Sequence, residues 1–156
     1  MTSADILAEM GPIGEKGLEP GQKPLDAVAA TDEPFVIRGL AAQWKVVQKA
    51  NSSNDELVNY LRGCAADVPV RASRGAPANE GRVFYNDDLT SMNFEQVDTR
   101  LTAVLDELQQ YEHESRPPTI YMGSTETEYC MPGFAADNHL DLPGIHPTVR
   151  VWLGNR

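Results

Sequence analysis

The spacing of apolar residues along this chain predicts two helices. In residues 54–63 and 100–112, apolar side chains recur three or four positions apart, which is the spacing of one helix face. Ser53 precedes the first segment and Glu56 follows three residues later, the pattern of a capping box at a helix start. We therefore expect a well-defined helix start at this point.

Short runs rich in β-branched and aromatic residues predict strands. The predicted strands are residues 35–38, 68–73, 82–85, 118–122 and 148–153. Glycine and proline separate the second run from the third, so we expect these two to pair as a hairpin. Helices mixed early with strands, and β-structure dominating later, predict an α+β fold.

The N-terminal segment has a different character. Residues 11–24, GPIGEKGLEPGQKP, contain four glycines and three prolines and almost no apolar side chains. Such a composition is typical of a loop or an extended chain. We expect residues 1–32 to form an extended N-terminal arm and residues 33–156 to form the domain proper.

Composition limits the classes of partner. Thirteen basic and 23 acidic residues give a net charge of −10, which argues against general binding to nucleic acid or to a membrane surface. No apolar run approaches the roughly 18 residues of a membrane span, and the first residues do not resemble a secretory signal. We expect a cytoplasmic protein whose two cysteines, Cys64 and Cys130, are free thiols.

One stretch invites a metal-site interpretation. Residues 138–147, NHLDLPGIHP, contain His139-x-Asp141 and then His146, and two histidines with one carboxylate can hold non-haem iron. However, Pro143 and Gly144 follow at once and favour a turn, where no strand would hold the ligands rigidly. We interpret the stretch as a solvated loop and predict no metal site in this chain.

Several stretches together resemble the cupin-like hydroxylases of the JmjC type, which are Fe(II)- and 2-oxoglutarate-dependent oxygenases. The stretches that carry this resemblance are EPFVIRGLAAQW (33–44), DELVNYLRG (55–63), VFYNDDL (83–89), RLTAVLDEL (100–108), PPTIYMGS (117–124) and VRVWLGN (149–155). The resemblance implies a helical N-terminal part and the first strands of a double-stranded β-helix, or jelly roll, incomplete at the C-terminus. It implies hydroxylation of a protein side chain or a small molecule.

The resemblance also implies roles for particular residues. It places the iron-binding His-x-Asp motif beyond Arg156, so no catalytic or metal-binding residue is expected in this chain, which alone would bind neither Fe(II) nor 2-oxoglutarate. Tyr121 matches a tyrosine that hydrogen-bonds the distal carboxylate of 2-oxoglutarate, although a core tyrosine is the alternative. Asn155 either orients this co-substrate or forms a turn with Gly154. Trp152 is expected in the core.

A non-catalytic function is the alternative. A chain without the metal ligands could serve as a cupin-like binding or assembly module. The strand predicted at residues 148–153 would then present an unpaired edge, and a homodimer could form through that edge.

Overall fold

A computed structural model describes residues 12–19 and 21–155, and these fall into two units. The first unit comprises the described residues up to Gln43 together with Leu140–His146. The second comprises Trp44–His139 and the described residues from Pro147 onwards.

The first unit contains more regular structure than the sequence predicts. Strands β1 (Gly14–Lys16) and β2 (Phe35–Ile37) pair in parallel, and helix α1 (Pro24–Ala29) lies between them along the chain. β2 confirms the strand predicted at 35–38. Part of the segment expected to be an extended arm is thus a strand and a helix. The proline at the start of α1 already has the backbone φ that a helix needs.

The second unit is built on a four-stranded antiparallel sheet. Its strands are β3 (Pro69–Gly75), β4 (Phe94–Arg100), β5 (Thr119–Glu126) and β6 (Arg150–Gly154), in the order β4-β3-β5-β6. The predictions at 68–73, 118–122 and 148–153 are confirmed.

The predicted hairpin is wrong. Residues 82–85 form no strand and contribute a single bridge between Tyr85 and Met92. β3 pairs instead with β4 on one side and β5 on the other. The sequence of β4, FEQVDTR, has only two apolar residues, and their odd spacing places them on opposite faces. An edge strand of this kind carries no alternation that a periodicity argument could detect.

Helices cover one face of this sheet. The helices are α2 (Lys45–Ser52), α3 (Asn54–Cys64), α4 (Leu101–Gln110), α5 (Thr127–Cys130) and α6 (Phe134–Asp137). α3 and α4 confirm the two predicted helices, whereas α2 was not predicted. In the part of the chain that the structure describes, no helix is long and apolar enough to cross a membrane.

The start of α3 confirms half of the predicted capping box. Ser53 Oγ accepts a hydrogen bond from the backbone N–H of Glu56 at 3.1 Å. The Glu56 carboxylate does not return to Ser53 but contacts Lys49. The Ser53 N–H already donates to the carbonyl of Lys49, the last turn of α2, and so needs no side-chain acceptor.

The core lies between the helices and one face of the sheet. Alternate residues of β3 and β5 face the apolar sides of α3 and α4 and are almost completely buried. The central members of this core are Val58, Leu61, Val70, Ala72, Leu101, Val104, Leu105, Ile120 and Met122. Arg74 adds a two-pronged ion pair from β3 to Glu107 of α4 at the edge of this core.

A buried amide joins distant parts of the second unit. Asn138 is 1% exposed. Its Oδ1 accepts from the backbone N–H of Val46 at 2.9 Å, near the start of α2. Its Nδ2 donates to the Tyr60 hydroxyl and to the carbonyl of Phe134, both at 2.7 Å. Asn138 therefore caps α2 from a position far away in sequence and ties α2, α3 and α6 together.

Replacing Asn138 by alanine should lower the free energy of unfolding by about 2–3 kcal/mol, because the Val46 N–H loses its acceptor and buried polar groups lose partners. Urea denaturation measures this change. Asn59→Ala, an exposed position on α3, is the matched control and should change stability by no more than about 0.5 kcal/mol. Equal effects of the two substitutions would contradict the role assigned to Asn138.

Candidate functional site

Strand β5 divides its side chains between two environments. Successive residues of a strand point to opposite faces. Ile120 and Met122 point to the helices and are at most 1% exposed. Tyr121 therefore lies on the opposite face of the sheet, together with Thr119 and Gly123.

The neighbouring strands follow the same division. Opposite residues of paired strands share a face, and Tyr121 is opposite Ser73 of β3 and Gly154 of β6. We call the sheet surface that faces away from the helices the Tyr121 face. Its residues include Ser73, Gly75, Gln96, Thr119, Tyr121, Gly123, Trp152 and Gly154.

Trp152 does not lie in the core. Its side chain is 56% exposed, and this corrects the expectation of a core aromatic. The neighbouring Val151 and Leu153 pack against the core, so strand alternation directs Trp152 to the Tyr121 face. This face thus carries Tyr121, Trp152 and also Phe94, which is opposite Gly75 of β3.

Two glycines form the seat of the Tyr121 ring. A Cβ atom on Gly123 would lie 2.8 Å from Cε1 of Tyr121 and 3.0 Å from its hydroxyl oxygen. A Cβ on Gly154 would lie 3.4 Å from Cδ2 of the same ring. The ring therefore lies over backbone where any larger residue would push it away, and it is partly buried as a result. Among the described residues its hydroxyl has no hydrogen-bond partner.

Asn155 connects the end of β6 to the start of β5. Its Oδ1 accepts from the backbone N–H of Ile120 at 3.1 Å, and its Nδ2 donates to the carbonyl of Pro118 at 2.8 Å. The Asn155 N–H also donates to the carbonyl of Ile120 at 3.3 Å. Both ends of the amide are thus bound to the backbone beside Tyr121.

Thr119 was not singled out by the sequence and is unusual in the structure. It is 2% exposed, and within the described residues its hydroxyl oxygen has no hydrogen-bond partner. Thr119 shares the Tyr121 face because it lies two residues before Tyr121 on the same strand. That spacing is the only signal by which the sequence could have identified it.

The candidate metal ligands have other contacts. His139 Nδ1 lies 3.0 Å from the Ala135 carbonyl oxygen, to which it donates when it carries the proton, and the His139 carbonyl accepts from the Trp44 indole at 3.1 Å. Asp141, in the first unit, lies 3.7 Å from Lys23. His146 is exposed. Within residues 12–19 and 21–155, no group of three histidine, cysteine, aspartate or glutamate side chains could hold a metal ion.

The comparison with family models supports the cupin-like part of the resemblance. The model of the cupin-like domain matches residues 22–156, so the chain belongs to the cupin-like domain family. No match was found among curated proteins or among solved structures.

Substituting Gly123 by alanine should displace the Tyr121 ring and lower the free energy of unfolding by about 1–3 kcal/mol, as overpacking does. The same substitution in a Tyr121→Ala background should cost much less, since the obstructing ring is gone. A double-mutant cycle in urea measures the difference. Equal costs in the two backgrounds would mean that the ring does not lie over Gly123.

Proposed function

We propose that this chain is the N-terminal portion of an Fe(II)- and 2-oxoglutarate-dependent hydroxylase that acts on a protein side chain or a small molecule. In this proposal the sheet of the second unit is the first part of a double-stranded β-helix, and the Tyr121 face is its interior. The observation that carries the proposal is the Tyr121 hydroxyl, which lies on the sheet face opposite α3 and α4 and has no partner among the described residues.

The surroundings of Tyr121 suit the distal carboxylate of 2-oxoglutarate. A phenol is a neutral donor, so it can bind an anion without bringing a charge of its own to the site. The ring packs against the backbone of Gly123 and Gly154. This packing limits the directions in which the hydroxyl can point. A hydrogen bond from a fixed donor to a carboxylate is charge-assisted and stronger than one between neutral groups.

The described residues do not supply the iron ligands. A facial triad needs two histidines and a carboxylate that converge on one ion, and no such group is present among them. Binding of 2-oxoglutarate is therefore to be tested on the full-length protein. Bound iron and 2-oxoglutarate would supply the oxygen chemistry.

The remaining residues of the face position the co-substrate. Asn155 fixes β6 against the start of β5 through the Pro118 carbonyl and the Ile120 N–H. This clamp keeps Gly154 opposite Tyr121, so we assign Asn155 an indirect role in co-substrate binding. Trp152 adds apolar surface that can exclude water from the bound chain of the keto acid.

Replacing Tyr121 by phenylalanine should raise the dissociation constant of 2-oxoglutarate about tenfold, the effect of losing one charge-assisted hydrogen bond of about 1.5 kcal/mol. Isothermal titration of the full-length protein loaded with Mn(II) measures binding directly, without turnover. The ring stays in place in this variant, so the fold should be unaffected.

Tyr129→Phe provides the matched control for this titration. Tyr129 is 48% exposed and its hydroxyl donates to the Pro69 carbonyl at 3.0 Å, away from the glycine seat. Its loss should leave 2-oxoglutarate binding unchanged. An unchanged dissociation constant for Tyr121→Phe would refute the role of Tyr121.

A binding or assembly module remains the second candidate, supported by the position of β6. Among the described strands β6 pairs only with β5, so its other edge is free to accept a strand from a second copy. Sedimentation of the full-length protein separates the two candidates. A dimer that binds no 2-oxoglutarate would favour the module, and a monomer that binds it would exclude this alternative.

A further inference from the structure

The segment between β3 and β4 exposes four large apolar side chains. We call residues 82–93 the Phe84 loop. Phe84 is 63% exposed, Tyr85 47%, Leu89 68% and Met92 49%. A few scattered apolar residues on a surface are ordinary, but a concentration of four within nine positions is typical of an interaction site.

Hydrogen bonds make the Phe84 loop rigid although it buries little apolar surface. Asn86 Oδ1 accepts from the backbone N–H groups of Thr90 and Ser91, at 3.0 and 3.2 Å. Asn93 Oδ1 accepts from the N–H of Phe84 at 2.9 Å, and Asn93 donates to the carbonyl of Arg82. The loop is therefore ordered before any partner arrives, which reduces the entropy lost on binding.

The backbone of the loop is strained at one of its exposed apolar residues. Leu89 has a φ of 59°, in the left-handed region that residues other than glycine rarely adopt. For an L-residue this conformation brings Cβ too close to the following carbonyl oxygen and is therefore unfavourable. In the free protein no burial of the Leu89 side chain compensates for this backbone strain. Contact with a partner would bury the side chain and so offset the strain.

A concave surface adjoins these side chains. A hollow of about 510 Å³ is lined by Phe84, Tyr85 and Leu89 and by the charged residues Glu80, Arg82 and Asp87, among others. The rings of Phe84 and Tyr85 pack edge to face with centroids 5.3 Å apart. Aromatic faces beside carboxylates attract the head of a lysine or arginine and also accommodate its aliphatic stem.

The charge around the hollow selects among possible occupants. Glu80 lies 3.6 Å from Arg116, so the other charged residues that line the hollow are Asp87 and Arg82. Asp88 follows Asp87 in the sequence and adds a second carboxylate beside the hollow. The hydroxyl of Thr90 holds the pKa of Asp88 below its ordinary value, so this carboxylate stays ionised. A chain with a net charge of −10 repels anionic membranes and nucleic acid.

We propose that the Phe84 loop and its hollow bind a polypeptide segment in which an apolar side chain stands beside lysine or arginine. The apolar side chain packs on Leu89 and Phe84, and the cation enters the hollow towards Asp87. None of the residues named above for the Tyr121 face lines this hollow, and the proposal does not depend on the oxygenase function.

Fluorescence anisotropy of a labelled peptide that repeats Lys-Leu-Gly-Ser, titrated with the protein, tests this proposal. Two further peptides, repeating Glu-Leu-Gly-Ser and Lys-Ser-Gly-Ser, remove the charge and the apolar side chain in turn. The first should bind and the other two should bind at least about tenfold more weakly, as expected when an interface anchor is lost.

Two substitutions in the loop should each weaken binding of the first peptide about tenfold. Leu89→Asn removes the apolar side chain with a residue that tolerates the left-handed region, so it should not lower the melting temperature. Asp87→Lys reverses a charge whose side chain makes no hydrogen bond within the described residues. Ile145→Asn, at a position 48% exposed, and Glu114→Lys are the matched controls and should leave binding unchanged.

Three results would overturn the proposal. The first is equal binding of all three peptides, or no binding of any. The second is equal weakening by the loop variants and the controls, which would mean general attraction to an acidic protein. The third is a dimer by sedimentation that Leu89→Asn abolishes, because the loop would then bind a second copy of the chain.

Discussion

The helices on one side of the sheet of the second unit determine which face each side chain of the sheet occupies. β5 must place Ile120 and Met122 against α4 because this burial provides most of its apolar stabilisation. Since side chains alternate along a strand, Tyr121 must then lie on the opposite face of the sheet. A shift of one residue in register would exchange the two sets and expose the core residues to water. The position of the candidate site is thus a consequence of core packing.

The elements that the sequence predicts well are those whose signals are local. Ser53 and the apolar periodicity of α3 lie within one short segment, and the β-rich runs at β3 and β5 are equally self-contained. The predicted partner of β3 is wrong, because VFY at residues 83–85 resembles a strand and FEQVDTR at β4 does not. Strand pairing is a property of distant segments, and the more strand-like of two segments need not be the partner. Trp152 was misplaced because an aromatic residue was assumed to be buried, although its neighbours occupy the core face.

The contacts of polar residues are even harder to predict from the sequence than strand pairing. Asn155 next to Gly154 has the local pattern of a turn, but its amide binds backbone groups of β5. In NHLDLPGIHP the histidines suggest a metal site. The first residue, Asn138, is the buried one, and it hydrogen-bonds groups of three helices. Local rules identify which side chains can form hydrogen bonds. Only the fold decides which distant backbone groups they meet. A family resemblance points to Tyr121, whereas the only sequence signal for Thr119 is its position two residues before Tyr121.

The most direct test of this account is a crystal structure of the full-length protein with Mn(II) and 2-oxoglutarate. The account predicts the keto acid on the Tyr121 face, with an oxygen of its distal carboxylate about 2.5–2.8 Å from the Tyr121 hydroxyl oxygen. The ring should remain over Gly123, with Asn155 still bound to the start of β5. Density for the keto acid on the helix-covered side, or a Tyr121 hydroxyl that contacts only protein, would contradict it.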